Sequence, residues 1–196
     1  MPRHLRHLRV VEGPVAPDQV SAERAWNSLD LERAAEPPAS AVAVVIAERH
    51  VPMRRTLRAV IDAERDLVLT ADTADLAFAE TAVRRASSPV LVLDAALVAG
   101  PLPEAVGELR ARVSPVPVVV LLIDALPALA ERVLHAGASG VVLKERADSE
   151  LADAVRTAAD GKAFLSIALR APLARGAGFH GHTDGLLRIF ASRQAG

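Results

Sequence analysis

The sequence predicts an α/β protein: a five-stranded parallel sheet with helices on both faces. Three observations lead there. Short β-branched runs without polar alternation recur at residues 41–47, 90–93 and 117–122. Such runs mark strands buried on both sides. Between them lie segments whose apolar residues fall at helical spacing. The connections are short, and strands that alternate with helices in this way pair in parallel through right-handed crossovers.

Residues 41–47 are the first strand. Met53, Leu57, Val60 and Ile61 come next at helical spacing. Pro52 suits the first turn of that helix, where a missing N–H costs little. Residues 67–69 form a short second strand. Thr73 is the expected cap of a helix running to about Arg85, with Leu76, Ala79 and Val83 facing inward. Residues 90–93 are the third strand, and a helix over 103–113 succeeds it. Residues 117–122 are the fourth strand. Asp124 is the expected cap of the next helix, whose stripe is Leu126, Leu129, Ala130, Val133 and Leu134. Gly137 closes that helix in a left-handed conformation, which glycine adopts without a Cβ penalty. Gly140 opens the fifth strand. Asp148 is the expected cap of a last helix carrying Leu151, Val155, Ala158 and Ala159, ending near Gly161. No internal repeat interrupts the series.

The flanks differ in composition. Residues 1–39 hold Gly13-Pro14, Pro17 and Pro37-Pro38 and no sustained periodicity, so they read as a flexible arm. A short helix over 21–34 would pack weakly through Trp26, Leu29 and Leu31. Residues 167–196 form a tail, partly helical or disordered. A helical turn near Ile167 meets Pro172, and Gly176, Gly178, Gly181 and Gly185 break the remaining stretch. The expected domain therefore covers residues 40–166.

Bulk composition narrows the function. The chain has 196 residues, 51% of them hydrophobic, and a net charge of −1. That suits one domain with a core, and gives no electrostatic reason to expect nucleic acid or an anionic membrane. There is no cysteine, which excludes disulfides and thiolate metal sites. The longest strongly apolar run, residues 118–123, is too short to span a bilayer. The basic N-terminus lacks the apolar stretch of a secretory signal. A cytoplasmic protein is expected.

Chemistry concentrates at strand ends. Asp94 closes the third strand's apolar run and Lys144 closes the fifth's; Glu48 lies just after the first. Loops after the strands of an open parallel sheet converge on one rim. These three residues should therefore meet. A carboxylate beside a second acid and a lysine is a plausible phosphoryl acceptor: it attacks phosphorus while Mg²⁺ and the ammonium offset charge on the oxygens.

At this point the residues match a known family. The stretch from Val42 to Ser166 resembles a receiver domain of two-component response regulators, of the kind usually fused to a LuxR-type helix-turn-helix. The resemblance rests on Val44-Val45-Ile46-Ala47-Glu48-Arg49-His50 with Arg54 and Leu57-Arg58, on Val90-Leu91-Val92-Leu93-Asp94, on Ala136-Gly137-Ala138-Ser139-Gly140, on Leu143-Lys144, and on Gly161-Lys162-Ala163-Phe164-Leu165-Ser166. It implies a flavodoxin-like fold with strand order 2-1-3-4-5, Asp94 as phosphoacceptor and Lys144 as the residue pairing with the phosphoryl group. It also implies a histidine kinase as partner.

The departures from that family are as informative. Its second acid after strand one, a metal ligand, is here Arg49, which leaves Glu48 as a lone, weak metal ligand. A fixed cation there opposes Mg²⁺ and could pair with Asp94 instead. The hydroxyl residue ending strand four is Leu122, with no donor. The switch aromatic ahead of the lysine is replaced by Val141, and the loop after the acceptor reads Leu97-Val98-Ala99. We therefore expect an atypical receiver with weak or no Mg²⁺-dependent phosphorylation. It would act through a histidine kinase or another regulator protein, or as a homodimer through its fourth helix, fifth strand and fifth helix.

Two alternatives stand beside this reading. A transcription regulator would need a partner or a lost helix-turn-helix, because the residues after Ser166 hold no capped helix pair; direct DNA binding is not expected. A cofactor-binding flavodoxin-like protein lacks support from the first loop, where Glu48-Arg49-His50-Val51-Pro52 stands in place of a glycine-rich phosphate cradle. No nucleophile–base pair suggests an enzyme. Arg84-Arg85-Ala86-Ser87-Ser88 has the form of a basic-directed kinase site but suits a helix end equally well. His180, His182 and Asp184 have crude metal-ligand spacing within a glycine-rich segment.

Overall fold

The computed structural model describes residues 41–170. The arm over 1–39 with its short helix, and the tail beyond 170 with His180, His182 and Asp184, lie outside the described residues. The strands are β1 (Val42–Ala47), β2 (Leu67–Thr73), β3 (Val90–Asp94), β4 (Val118–Leu122), β5 (Gly140–Leu143) and β6 (Phe164–Leu165). The helices are α1 (Val51–Asp62), α2 (Leu76–Arg85), α3 (Leu102–Val113), α4 (Pro127–His135) and α5 (Ala147–Ala159). All pairings are parallel, in the order β2-β1-β3-β4-β5-β6.

Five strands and their order match the expectation; the sixth is a correction. β6 is only two residues long, and the backbone secures it. Phe164 donates its N–H to the Ser139 carbonyl at 3.0 Å, and Ser166 donates to Val141 at 2.9 Å. Gly140 permits the approach, because a Cβ there would lie 3.2 Å from the Cβ of Phe164.

Strand alternation splits the interior into two cores. Val44, Ile46, Val90, Val92, Val119, Leu121 and Val142 pack against Leu57 and Ile61 of α1 and Leu151 and Val155 of α5. Val45, Ala47, Leu91, Leu93, Val118, Val120 and Leu143 face α2, α3 and α4 through Val83, Leu109 and Val133. Both faces of the sheet are covered, which explains the unbroken apolar runs.

Three expected caps are corrected. The N-cap of α2 is Asp75, whose Oδ1 accepts from Ala77 and Phe78 N–H at 2.8 and 3.1 Å. Thr73 instead ends a strand that runs longer than expected, and its hydroxyl accepts from Asp75 N–H. Asp124 does not cap α4, which starts after Leu126 without a side-chain cap. Asp148 lies within the first turn of α5, where a negative charge still favours the helix dipole. Gly137 ends α4 at φ +106°, as its left-handed role requires.

Candidate functional site

Register brings the acid and base residues together. Ala47 pairs with Leu93, so Glu48 and Asp94 emerge level from adjacent strands. Leu143 pairs with Leu122, so Lys144 leaves the rim one strand beyond β4. Its long side chain spans the tip of β4. The ammonium lies 2.8 Å from Asp94 Oδ1 and 2.7 Å from Glu48 Oε2. Glu48 is 0% exposed, Asp94 1% and the lysine side chain 16%. The three residues read from the sequence thus meet in one ion-paired cluster.

Backbone donors fix the carboxylates. Asp94 Oδ1 accepts from Ala96 N–H at 3.0 Å as the chain enters a 3-10 turn at Ala95–Leu97. Glu48 Oε1 accepts from His50 N–H at 2.8 Å. Glu48 Oε2 is close to the ammonium but out of line for a hydrogen bond, and Asp94 Oδ2 has no partner. Burial pushes the Asp94 carboxyl up, but the Lys144 ammonium and the Ala96 N–H outweigh it and hold the group below its ordinary range. Asp94 is therefore ionised and nearly sealed from water.

The substituted positions also find places. Arg49 does not pair with Asp94; it donates to the Ala96 carbonyl at 3.4 Å from the exposed rim. Lys144 supplies the neutralising charge instead. Its ammonium is in contact with both acids, whereas Arg49 is exposed. Arg54 donates to the Glu48 carbonyl at 2.7 Å and lies 3.5 Å from Asp72. Leu122 ends β4 beside Asp94 with no donor to offer. Val141 is fully buried in the core. Arg84 pairs with Glu80 at 3.7 Å, while Ser87 and Ser88 stand exposed after α2, away from the strand-end rim.

The donor set fits a metal poorly. Mg²⁺ wants octahedral oxygen ligands and several waters. Here Lys144 already occupies one oxygen of each acid, a guanidinium holds the nearest loop carbonyl, and the adjoining wall is Leu122, Ala95 and Ala96. Among the described residues no group of three or more His, Asp or Glu side chains could hold a metal ion.

Sequence reasoning missed one buried polar cluster. Glu150 of α5 accepts from the Ser166 hydroxyl, and from the Ile167 N–H at 3.3 Å. A glutamate on the inward stripe of a helix was the available signal.

Solved structures share this architecture. A LuxR-family two-component response regulator from Aurantimonas sp. SI85-9A1 superposes with TM-score 0.63 at 22% identity, covering 70% of this chain and 99% of that one. The isolated receiver domain of RcsB from Salmonella enterica serovar Typhimurium gives TM-score 0.60 at 20% identity, covering 68% and 98%. The fold is that of a response-regulator receiver domain. A Salmonella typhimurium RcsB structure described for DNA interaction gives TM-score 0.61 at 19% identity over 67% of this chain, which spans 66% of that one. No protein-family model and no curated protein matches the sequence. Among the described residues no helix is long and apolar enough to cross a membrane.

Proposed function

We propose that this receiver fold works as an atypical signalling module: a non-enzymatic protein that accepts little or no phosphoryl group at Asp94 and passes its signal on by protein contact. One observation carries the reading. Asp94 is present and ionised, but it is locked by Lys144 and Ala96 N–H and is 1% exposed. A phosphoryl donor needs an open, metal-assisted carboxylate, because this transfer depends on positioning and charge neutralisation. Arg49 and Leu122 supply neither a metal ligand nor a hydroxyl.

The partners that fit are a histidine kinase, another regulator or a second copy of the chain meeting through α4, β5 and α5. A related structure holds two RcsB dimers bound to two parallel DNAs. This likeness supports a second reading, control of DNA by way of a partner, without direct contact from the described residues. Both readings place the module in the cytoplasm.

The experiment is incubation with acetyl phosphate and Mg²⁺, then intact mass and a Mg²⁺ titration. The wild type gains no Asp94-dependent phosphoryl mass and binds Mg²⁺ weakly. Arg49→Asp gains Mg²⁺ affinity. An adduct on the wild type that disappears in Asp94→Asn overturns the proposal.

A further inference from the structure

The segment joining α2 to β3 lies at the far end of β3 from Asp94, because Val90 opens that strand and Asp94 closes it. α2 ends at Arg85, and Ala86 turns the backbone to an extended conformation at φ −84°, ψ 151°. Ser87 and Ser88 follow, both exposed, and Pro89 is buried where β3 begins. Ser88 takes φ +47°, a left-handed angle that residues other than glycine rarely adopt. The chain is thus held at Ser88 and Pro89, while Ala86 and Ser87 have already left the helix.

The surroundings of the Ser87 hydroxyl are basic. Arg84 and Arg85 stand three and two residues before it. Both are exposed, and in the last turn of α2 only Val83 is buried. Arg84 reaches Glu80 at 3.7 Å with half of its side chain in water, a contact worth little. Ser87 also lines a cleft of about 890 Å³ together with Ser88, Ser114, Arg84, Arg112 and Asp160. Arg112 donates to Glu80 Oε1 at 3.0 Å, and Asp160 lies 3.9 Å from Lys162. Arg84, Arg112 and Lys162 thus stand against Glu80 and Asp160, which leaves one formal positive charge around the cleft before Arg85 is counted.

We propose that Ser87 is a phosphorylation site for a serine protein kinase with an acidic substrate groove. The groove recognises Arg84 and Arg85, whose guanidiniums pair with carboxylates in two-pronged contacts. Reaching them needs only the last turn of α2 to fray, and helix ends open at little cost. Ser87 is the acceptor rather than Ser88, since Ser88 is held by its left-handed backbone and by the buried Pro89 directly after it. Ser87 Oγ attacks the γ-phosphorus of ATP. A new O–P bond forms there, the bond from that phosphorus to the bridging oxygen breaks, ADP leaves with the electron pair, and the hydroxyl proton passes to a carboxylate of the kinase. The phosphoserine carries a charge of about −1.5 to −2. The carbonyl end of α2 repels it, and Arg84 and Arg112, the two guanidiniums that share Glu80, attract it. It therefore competes with Glu80 for Arg112, in the ion pair that links α2 to α3. Such a mark is an input to the receiver fold that bypasses Asp94.

The test incubates the full chain with ATP, Mg²⁺ and a purified serine protein kinase that selects arginine two and three residues before its acceptor. Phosphoryl transfer is followed by intact mass and located by fragmentation. A synthetic peptide covering residues 80–92 is the unfolded comparison. The folded chain gains one phosphoryl group, on Ser87, with kcat/KM within about tenfold of the peptide's, because fraying one helical turn is a small cost. Ser87→Ala gains none, and Ser88→Ala is labelled as the wild type is. Arg85→Gln lowers kcat/KM about tenfold, the loss of one charge-assisted contact. These three positions are exposed, so the variants keep the fold, which circular dichroism checks. A folded chain labelled more than about tenfold more slowly than the peptide overturns the inference, and so does a chain that gains no label at all. A label on Ser88, or an Arg85→Gln rate equal to that of the wild type, overturns it as well. The acetyl phosphate experiment reads Asp94 without any kinase, so the two proposals fail or stand separately.

Discussion

Lys144 places one ammonium 2.8 Å from Asp94 and 2.7 Å from Glu48, and both carboxylates are buried. Breaking a buried ion pair by removing one partner leaves uncompensated charge, which costs about 3–5 kcal/mol. Lys144→Met should therefore lower stability by that order, read from the midpoint of urea unfolding at neutral pH. The pH dependence has a definite sign. The Asp94 carboxyl is held below its unfolded value of 3.8, so its contribution is present above that value and is lost as pH falls through the folded value. In Lys144→Met the ammonium no longer opposes burial, and the group lies higher than in the wild type even with the Ala96 N–H still in place. The gap between wild type and variant should then narrow as pH drops below 3.8, and a gap that widens on acidification contradicts this account. Asp94, Glu48 and Lys144 were legible in the sequence because each stands directly after an apolar run, and parallel register does the rest. The partner of Arg49 was not legible. Whether a guanidinium turns to a carboxylate or to a carbonyl depends on the path of the loop, which no spacing encodes.

At the scale of elements, helices and long strands were readable from periodicity, while caps and β6 were not. Asp75 rather than Thr73 caps α2 because β2 runs on through Thr73, and only the residue leaving the strand can turn its side chain back onto the helix N–H groups. Likewise α4 begins at Pro127, too far along for Asp124 to reach its N–H groups. β6 has two residues, below any period that a pattern can reveal. Its signature was Gly140, which admits Phe164 to close approach. Gly140→Ala places a methyl group 3.2 Å from the Phe164 Cβ, and overpacking of this kind costs about 1–3 kcal/mol. The strain falls on the β5–β6 pairing. Amide exchange should accelerate at Phe164 and Ser166, whose N–H groups bond to Ser139 and Val141, while Leu93 in β3 keeps most of its protection. Equal loss of protection in β3 and β6 would show that β6 is not a separable element.

For the whole molecule, parallel pairing came from the alternation of strands and helices and the strand order from the family resemblance, but the fold extends past residue 166, where composition places its edge. The chain turns helical at residues 167–170, and Leu169 there is fully buried within the core under α2, α3 and α4, together with Leu165. Glu150 starts this turn by accepting the Ser166 hydroxyl and the Ile167 N–H. Arg170 is fastened as well, donating to the Leu165 carbonyl at 2.7 Å and lying over the Phe164 ring at 5.4 Å. A single leucine inside a segment that otherwise reads as a broken tail gives no periodic signal, which is why its burial was hidden. Truncating it should cost what a core leucine costs, about 2–5 kcal/mol through lost transfer energy and the cavity left behind. Ile167→Ala is the control, since Ile167 is 56% exposed and surface changes usually stay within about 0.5 kcal/mol. Urea unfolding of the two variants should move the midpoint strongly for Leu169→Ala and hardly at all for Ile167→Ala, with the slope unchanged in both. Equal, small shifts would place Leu169 outside the cooperative unit and return the boundary of the fold to β6.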